Sequence, residues 1–199
     1  MMSHYTLVRS IEHTVFYIRT FLKDRKIASV TPSSRFAVKK ICSTINFGKD
    51  NVIVECGPGN GVLSRAILKQ MTTNSKLILV ETNNGFARHL KQTIDDVRVH
   101  IACENAMNIR RVLQEFGISH VDYAILGIPF SLTDVIQNHL VIVRNQQVLK
   151  EGGKLIVYQF SLRIRKYLKQ HFQDISTTFE ILNIPPMFIF EALHNRRIV

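Results

Sequence analysis

Apolar residues recur along this chain with two different spacings, and the two alternate. Short apolar runs bounded by Gly, Pro, Asn or Asp read as buried strands at 51–56, 76–81, 97–101, 120–127 and 154–160. Between them, apolar residues step by three and four, which predicts helices at 60–72, 84–94, 108–116 and 132–150. The first of these carries Val62, Leu63, Ala66, Ile67 and Met71 on one face; the last carries Leu132, Val135, Ile136, His139, Leu140 and Val143, with Gly152-Gly153 expected to end it. A basic helical stretch, Arg163 to His171, follows, and strands at 175–183 and 187–193 flank Pro185-Pro186. Upstream, Val8, Ile11, Val15, Ile18 and Leu22 define a helix over 4–24. Ser33 or Ser34 is placed to cap a second helix over 34–46. Regular β–α alternation predicts an α/β fold: a seven-stranded, mostly parallel sheet with an antiparallel last strand, helices on both faces and two N-terminal helices.

Composition narrows the function classes. A chain of 199 residues can form one domain with a sizeable core. Its apolar runs are too short for a membrane span, and its start lacks the apolar stretch of a signal peptide. Cys42, Cys56 and Cys103 are far apart and odd in number, which suits a reduced, cytoplasmic chain. With no C-x-x-C and no paired histidine spacing, a metal site is not expected. The net charge of +11 points to an anionic partner, either nucleic acid or an anionic membrane surface; a merely solvated basic surface is the plain alternative. Residues 1–40 hold eight basic residues against two acidic ones, so over half of the excess sits there. The 4–24 helix therefore reads either as a helix packed on the core or as an interfacial helix on anionic headgroups.

Candidate chemistry sits at the carboxyl ends of the predicted strands, where open α/β sheets bind ligands. The first strand delivers Glu55 and a turn with Gly57, Gly59 and Gly61, followed at once by a helix. This E-x-G-x-G-x-G run is neither the dinucleotide fingerprint nor a P-loop. The second strand ends at Glu81, whose carboxylate can accept hydrogen bonds from both hydroxyls of a ribose; Thr82 and Asn83 are left to cap the next helix. The third leads to Glu104-Asn105-Ala106, where the side-chain carbonyl of Asn105 is a candidate hydrogen-bond acceptor for a ligand. The fourth ends Leu126-Gly127-Ile128-Pro129-Phe130 and the fifth Tyr158-Gln159-Phe160.

The glycine run resembles the first motif of class I S-adenosylmethionine methyltransferases. The chain as a whole resembles the bacterial phospholipid N-methyltransferases, which are similar to ribosomal RNA adenine dimethylases. The resemblance runs from about Arg19 to the last strand. It is carried by Thr20-Phe21-Leu22, Val30-Thr31-Pro32-Ser33-Ser34, residues 55–61, Val80-Glu81-Thr82-Asn83, Leu126-Gly127-Ile128-Pro129-Phe130, Gly152-Gly153 and Asn183-Ile184-Pro185-Pro186. It implies a Rossmann-like class I methyltransferase domain over 31–199, preceded by a basic amphipathic segment over 1–30 that lies on anionic membrane. It also implies a cytoplasmic protein, peripheral at the inner membrane face. The implied cofactor is S-adenosylmethionine, leaving as S-adenosylhomocysteine. Its contacts would come from Ser33, Glu55, Gly57, Gly59, Gly61, Glu81, Thr82, Asn105, Ala106, Leu126 and Gly127. The implied substrate is a phospholipid amine such as that of phosphatidylethanolamine, with Tyr158 as the catalytic candidate that orients it. The chain departs from the family pattern at Glu104-Asn105-Ala106, where Gly-Asp-Ala is usual, and at Tyr158-Gln159-Phe160, where Phe-Thr-Tyr is usual. The alternatives are an RNA adenine N6-methyltransferase, which shares the fold and suits the charge, and a SAM-fold protein that binds membrane without catalysis. Against the RNA reading, Gly127 offers no side-chain acceptor where those enzymes carry Asn or Asp.

Overall fold

The computed structural model describes residues 34–130 and 134–195. The expected 4–24 helix, the 1–30 segment, Ser33 and Leu132 lie outside them. In chain order the elements are α1 (Arg35–Cys42), β1 (Val52–Cys56), α2 (Val62–Leu68), β2 (Lys76–Val80), α3 (Asn84–Thr93), β3 (Val99–Ala102), α4 (Ile109–Glu115), β4 (Val121–Leu126), α5 (Val135–Gln146), β5 (Leu149–Gln159), α6 (Arg165–His171), β6 (Asp174–Glu180) and β7 (Met187–Leu193). Short 3-10 turns at Ala106–Asn108 and Leu162–Ile164 lead into α4 and α6.

The sheet has seven strands in the order β3-β2-β1-β4-β5-β7-β6. Only β7 runs against its neighbours β5 and β6; every other pairing is parallel. This is the Rossmann-like arrangement expected from the alternation. Because strands 1 to 3 step one way and strands 4 and 5 the other, the order reverses between β1 and β4, which in open α/β sheets is where the ligand crevice lies, at the carboxyl edge.

Strand side chains alternate between two cores. Ile53, Leu77, Leu79, Ile125 and Ile156 pack under α1, α2 and α3; Val54, Ile78, Val80, Ala124, Leu126 and Val157 pack under α4, α5 and α6. Strands buried on both faces explain the near-continuous apolar runs in the sequence. Each fully buried Ile or Leu contributes roughly 1.5–3 kcal/mol. Short polar side chains set where helices begin: Ser34 Oγ accepts from Ala37 N, Asn83 Oδ1 from Gly85 N and Phe86 N, and Asp134 Oδ1 from Gln137 N.

Two expectations are corrected. Helix α5 ends at Gln146, and Gly152-Gly153 lies inside β5 rather than at a helix end. Gly152 has φ +72°, and a Cβ on Gly153 would lie 2.9 Å from Lys150 O and 3.1 Å from Asp122 O. The pair thus makes a tight irregularity in the strand, pinned by Gly152 N–H to His194 O and His194 N–H to Gly153 O, both 2.8 Å. The second correction is the buried face of α5. Asn138, Val141, Ile142 and Asn145 face the core, whereas Val135, Ile136 and Leu140 are exposed. The two asparagines are buried because distant carbonyls receive them: Asn138 Nδ2 donates to Phe130 O at 2.9 Å, and Asn145 Nδ2 to Val141 O at 2.8 Å and Ala106 O at 3.3 Å.

Cys42 and Cys56 are buried and Cys103 is exposed. Burial pushes the Cys42 thiol up to about 11 and the Cys56 thiol further still, the latter helped by the nearby Glu55 and Glu81 charges. A thiolate-specific reagent at pH 8 is therefore expected to label Cys103 alone in the native protein and all three thiols in denaturant. Rapid native labelling of Cys42 or Cys56, read by peptide mass, would contradict this packing.

Candidate active site

β1 carries Glu55 to the crevice from below. Its side chain turns toward α2, is fully buried, and accepts a 2.6 Å hydrogen bond from Ser64 Oγ through Oε2. Oε1 has no hydrogen-bond partner among the described residues. Burial pushes the carboxyl up to about 7; the Ser64 bond opposes the rise and the Glu81 charge adds to it. Ser64, missed at the sequence level, is legible in hindsight as the one hydroxyl on the α2 face that buries Leu63 and Ile67.

The turn after β1 needs glycine at three positions, since Gly57, Gly59 and Gly61 have φ of +79°, +56° and +79°. A Cβ on Gly57 would lie 3.1 Å from Gly127 O. One on Gly61 would lie 2.6 Å from Leu90 Cδ2 and 2.7 Å from Arg65 Nη1. A Cβ on Gly59 would meet nothing within 4 Å, so this residue alone of the three borders open space.

Glu81, at the end of β2, is buried and reaches across to that turn: Oε2 accepts from Gly59 N at 3.0 Å and Oε1 from Asn83 N at 2.9 Å. It thus ties the glycine turn to the neighbouring strand, and each oxygen keeps an acceptor position for a ligand hydroxyl. Thr82 beside it is exposed. After β3, Asn105 is half-buried, and its Oδ1 accepts from Met107 N at 2.9 Å, capping the 3-10 turn. Glu104 holds the same turn through Asn105 N, Asn108 Nδ2 and Arg111. Ala106 and Leu126 have buried side chains in the α4–α6 core, so only their backbone can face a ligand.

Gly127 follows β4, with its N–H bonded to Cys56 O at 2.9 Å. Tyr158, next to the end of β5, fills the space above it. A Cβ on Gly127 would run into the Tyr158 hydroxyl and lie 3.0 Å from Gly57 O. Gly57, Gly59, Glu81, Gly127 and Tyr158 therefore come together, Glu55 lies buried beneath them against Ser64, and Asn105 and Thr82 stand on the flank. Desolvation, reinforced by the charges of Glu55 and Glu81, pushes the Tyr158 hydroxyl far above its ordinary range, so it stays protonated and donates or accepts hydrogen bonds without acting as a base. Among the described residues, no cluster of His, Cys, Asp and Glu could hold a metal ion.

The family model for ribosomal RNA adenine dimethylase matches residues 20–151. The chain belongs to the ribosomal RNA adenine dimethylase family. One relative is the ornithine lipid N-methyltransferase of Singulisphaera acidiphila, 24% identical over 174 residues, covering 86% of this chain and 91% of that protein. Another is the ribosomal RNA small subunit methyltransferase A of Thermotoga neapolitana, 25% identical over 171 residues, covering 82% of this chain and 58% of that one. Among solved structures, the N-methyltransferase NodS of Bradyrhizobium japonicum WM9 in complex with S-adenosylhomocysteine superposes with a TM-score of 0.61 at 10% identity, over 91% of this chain and 98% of that one.

This member of the dimethylase family is an S-adenosylmethionine-dependent N-methyltransferase. The residues present fit that cofactor. Gly59 leaves the crevice open where a side chain would fill it, and Glu81 offers acceptor oxygens one strand away. One relative is named for a lipid and another for ribosomal RNA, so membership of the family does not by itself name the methyl acceptor.

Proposed function

We propose that this chain methylates the amine of a membrane lipid, an aminophospholipid such as phosphatidylethanolamine or another amine-bearing amphiphile. The observation that carries the reading is the end of β4. RNA adenine N6-methyltransferases usually carry a side-chain acceptor there for the target amino group and an aromatic to stack on the base. In this chain Gly127 has no side chain, and Tyr158 occupies the space above it. Phe130, the aromatic of the segment, is only 5% exposed in the core, and its carbonyl is taken by Asn138. The relative named as an ornithine lipid N-methyltransferase, matched along most of both chains, supports the same reading.

S-adenosylmethionine would supply an electrophilic methyl group on its sulfonium, lying against Gly57, Gly59 and the Gly127 backbone, with its ribose on Glu81 and its adenine near Asn105 and Ala106. The chain's own task is to present a neutral amine in line with that methyl. An alkylammonium has a pKa of about 10.4, so near pH 7 roughly one molecule in 2,500 is neutral. A desolvated crevice favours proton loss, and the protonated Tyr158 hydroxyl can accept an amine N–H through its oxygen, fixing the direction of the lone pair.

The test offers the enzyme methyl-labelled S-adenosylmethionine with vesicles containing phosphatidylethanolamine or ornithine lipid and, in parallel, unmodified ribosomal RNA. Label is expected in lipid, with Tyr158→Phe lowering kcat at least about tenfold. Label in RNA alone would replace this reading with that of an RNA adenine N6-methyltransferase.

A further inference from the structure

The connection between β6 and β7 inverts the usual burial rule. Asn183, its polar residue, is 2% exposed, while Ile181, Leu182 and Ile184 are 68%, 55% and 67% exposed. Scattered exposed apolar residues need no explanation, but three in four consecutive positions around a buried asparagine do. The loop is held in that shape. Asn183 Oδ1 accepts from Ser34 N at 2.8 Å, Asn183 Nδ2 donates to Pro185 O at 2.7 Å, and Leu182 N donates to Glu180 Oε1 at 2.8 Å. Two segments 149 residues apart, Ser34 at the start of α1 and the Asn-Ile-Pro-Pro run, thus form one unit.

Topology sets this unit on the side of the sheet that bears the site. β6 runs parallel to β5, so its end, like that of β5, lies at the carboxyl edge. Next to the loop, Phe188 of β7 pairs with Gln159, and Ile189 pairs with Tyr158 itself. On the same edge Leu162 follows β5 and Ile136 opens α5, both more than half exposed. Cations accompany the apolar residues: the Arg35 guanidinium lies 4.9 Å from the centroid of the Phe36 ring at the start of α1, and Arg163 follows Leu162. The carboxylate at the base of the loop, Glu180, is engaged by Leu182 N–H.

We infer that the β6–β7 loop is a preformed wedge: Ile181, Leu182 and Ile184 enter the outer layer of an anionic lipid bilayer and seat the mouth of the site against it. Apolar tips with Arg35 beside them and Arg163 on the same edge of the sheet match the acyl boundary and the phosphate layer of such a surface. The inference rests on the lipid reading above for its purpose, and adds a docking surface built from residues 34–195. The Asn183 bonds hold the loop in shape before contact, so insertion orders little chain.

The test is co-sedimentation of the full-length protein with vesicles of phosphatidylcholine and phosphatidylglycerol, comparing the native chain with Ile181→Ser/Leu182→Ser/Ile184→Ser. The triple variant is expected to partition at least about tenfold more weakly. Its S-adenosylhomocysteine affinity and its methyl transfer to acceptor lipid in detergent micelles should be unchanged. The native chain should bind pure phosphatidylcholine vesicles several-fold less than the anionic ones. Equal partitioning of variant and native chain overturns the wedge, whatever the methyl acceptor proves to be. Weaker partitioning with no lipid methylated in micelles keeps the wedge and removes the lipid-substrate reading. If sedimentation velocity shows the native chain as a dimer and the variant as a monomer, the patch is a contact between copies and the inference fails.

Discussion

Arginine in place of Gly59 is expected to abolish binding of S-adenosylmethionine and S-adenosylhomocysteine while the fold survives. The three glycines of the turn separate this effect from damage to the core. At Gly61 a Cβ would strike Leu90 and Arg65 at 2.6 and 2.7 Å, so substitution there loads the packing between α2 and α3. At Gly57 it would press on the Gly127 carbonyl at 3.1 Å and disturb the β1–β4 seam. At Gly59 it would enter open space, so the fold bears only the left-handed backbone, φ +56°, at about 1–2 kcal/mol. For a chain of this size that lowers Tm by about 2–8 °C. The remainder of the arginine would lie in the crevice beside Glu81, taking the volume and the carboxylate that the fold leaves for the cofactor. Calorimetric titration should give a Kd at least about a hundredfold weaker, some 3 kcal/mol, with a near-native circular dichroism spectrum. Gly61→Val should reverse the pattern, with a large loss of Tm before any specific loss of affinity. A Gly59→Arg protein that binds S-adenosylhomocysteine like the native chain would show that the cofactor does not lie on this turn.

What the sequence made legible was whatever depends on neighbours in the chain. Strands buried on both faces appear as apolar runs, and helix starts appear as Ser34 and Asn83. The glycine turn appears as glycine because its φ values admit little else. What stayed hidden depends on groups far apart in sequence. Apolar spacing assigned the wrong face of α5 to the core, because Asn138 and Asn145 find their carbonyls at Phe130 and Ala106 as well as on the helix itself. Gly152-Gly153 looked like a helix stop because glycine marks both a C-terminal turn and a strand irregularity, and only the pairing with His194 distinguishes them. At the site, the acids were readable as acids but their bonds were not. Glu81 grips the Gly59 N–H, Glu55 takes the Ser64 hydroxyl, and Asn105 caps its own turn. Tyr158 stood out as an aromatic at a strand end. That its hydroxyl covers Gly127 follows from the register of β4 against β5, which no local pattern encodes.

Replacing Glu55 by Gln should stabilise the unliganded protein at pH 8 and leave it nearly unchanged at pH 4. The sign follows from the direction of the shift. Burial raises the folded-state pKa of Glu55 to about 7, above the value near 4.5 that it has when unfolded. Below pH 4.5 the group is protonated in both states. Between there and pH 7 the folded chain keeps a proton that the unfolded chain has released, so stability falls as pH rises, and it levels off once the folded group ionises as well. Two and a half units correspond to about 3 kcal/mol across that window. Gln is neutral throughout and retains an oxygen for the Ser64 hydroxyl, so urea unfolding at a series of pH values should show this slope in the native chain and lose it in Glu55→Gln. Equal slopes would mean that Glu55 is not held in a desolvated position. A buried carboxylate with one oxygen lacking a partner among the described residues is a standing cost to the fold, and a cationic cofactor beside it would offset that cost. Bound sulfonium and ammonium charges favour the ionised form, so S-adenosylmethionine should bind the native chain more tightly as pH rises through 7, while its affinity for Glu55→Gln should stay level over the same range. A pH-independent affinity in the native chain would place Glu55 outside the cofactor's field and leave the carboxylate with a cost and no ligand to offset it.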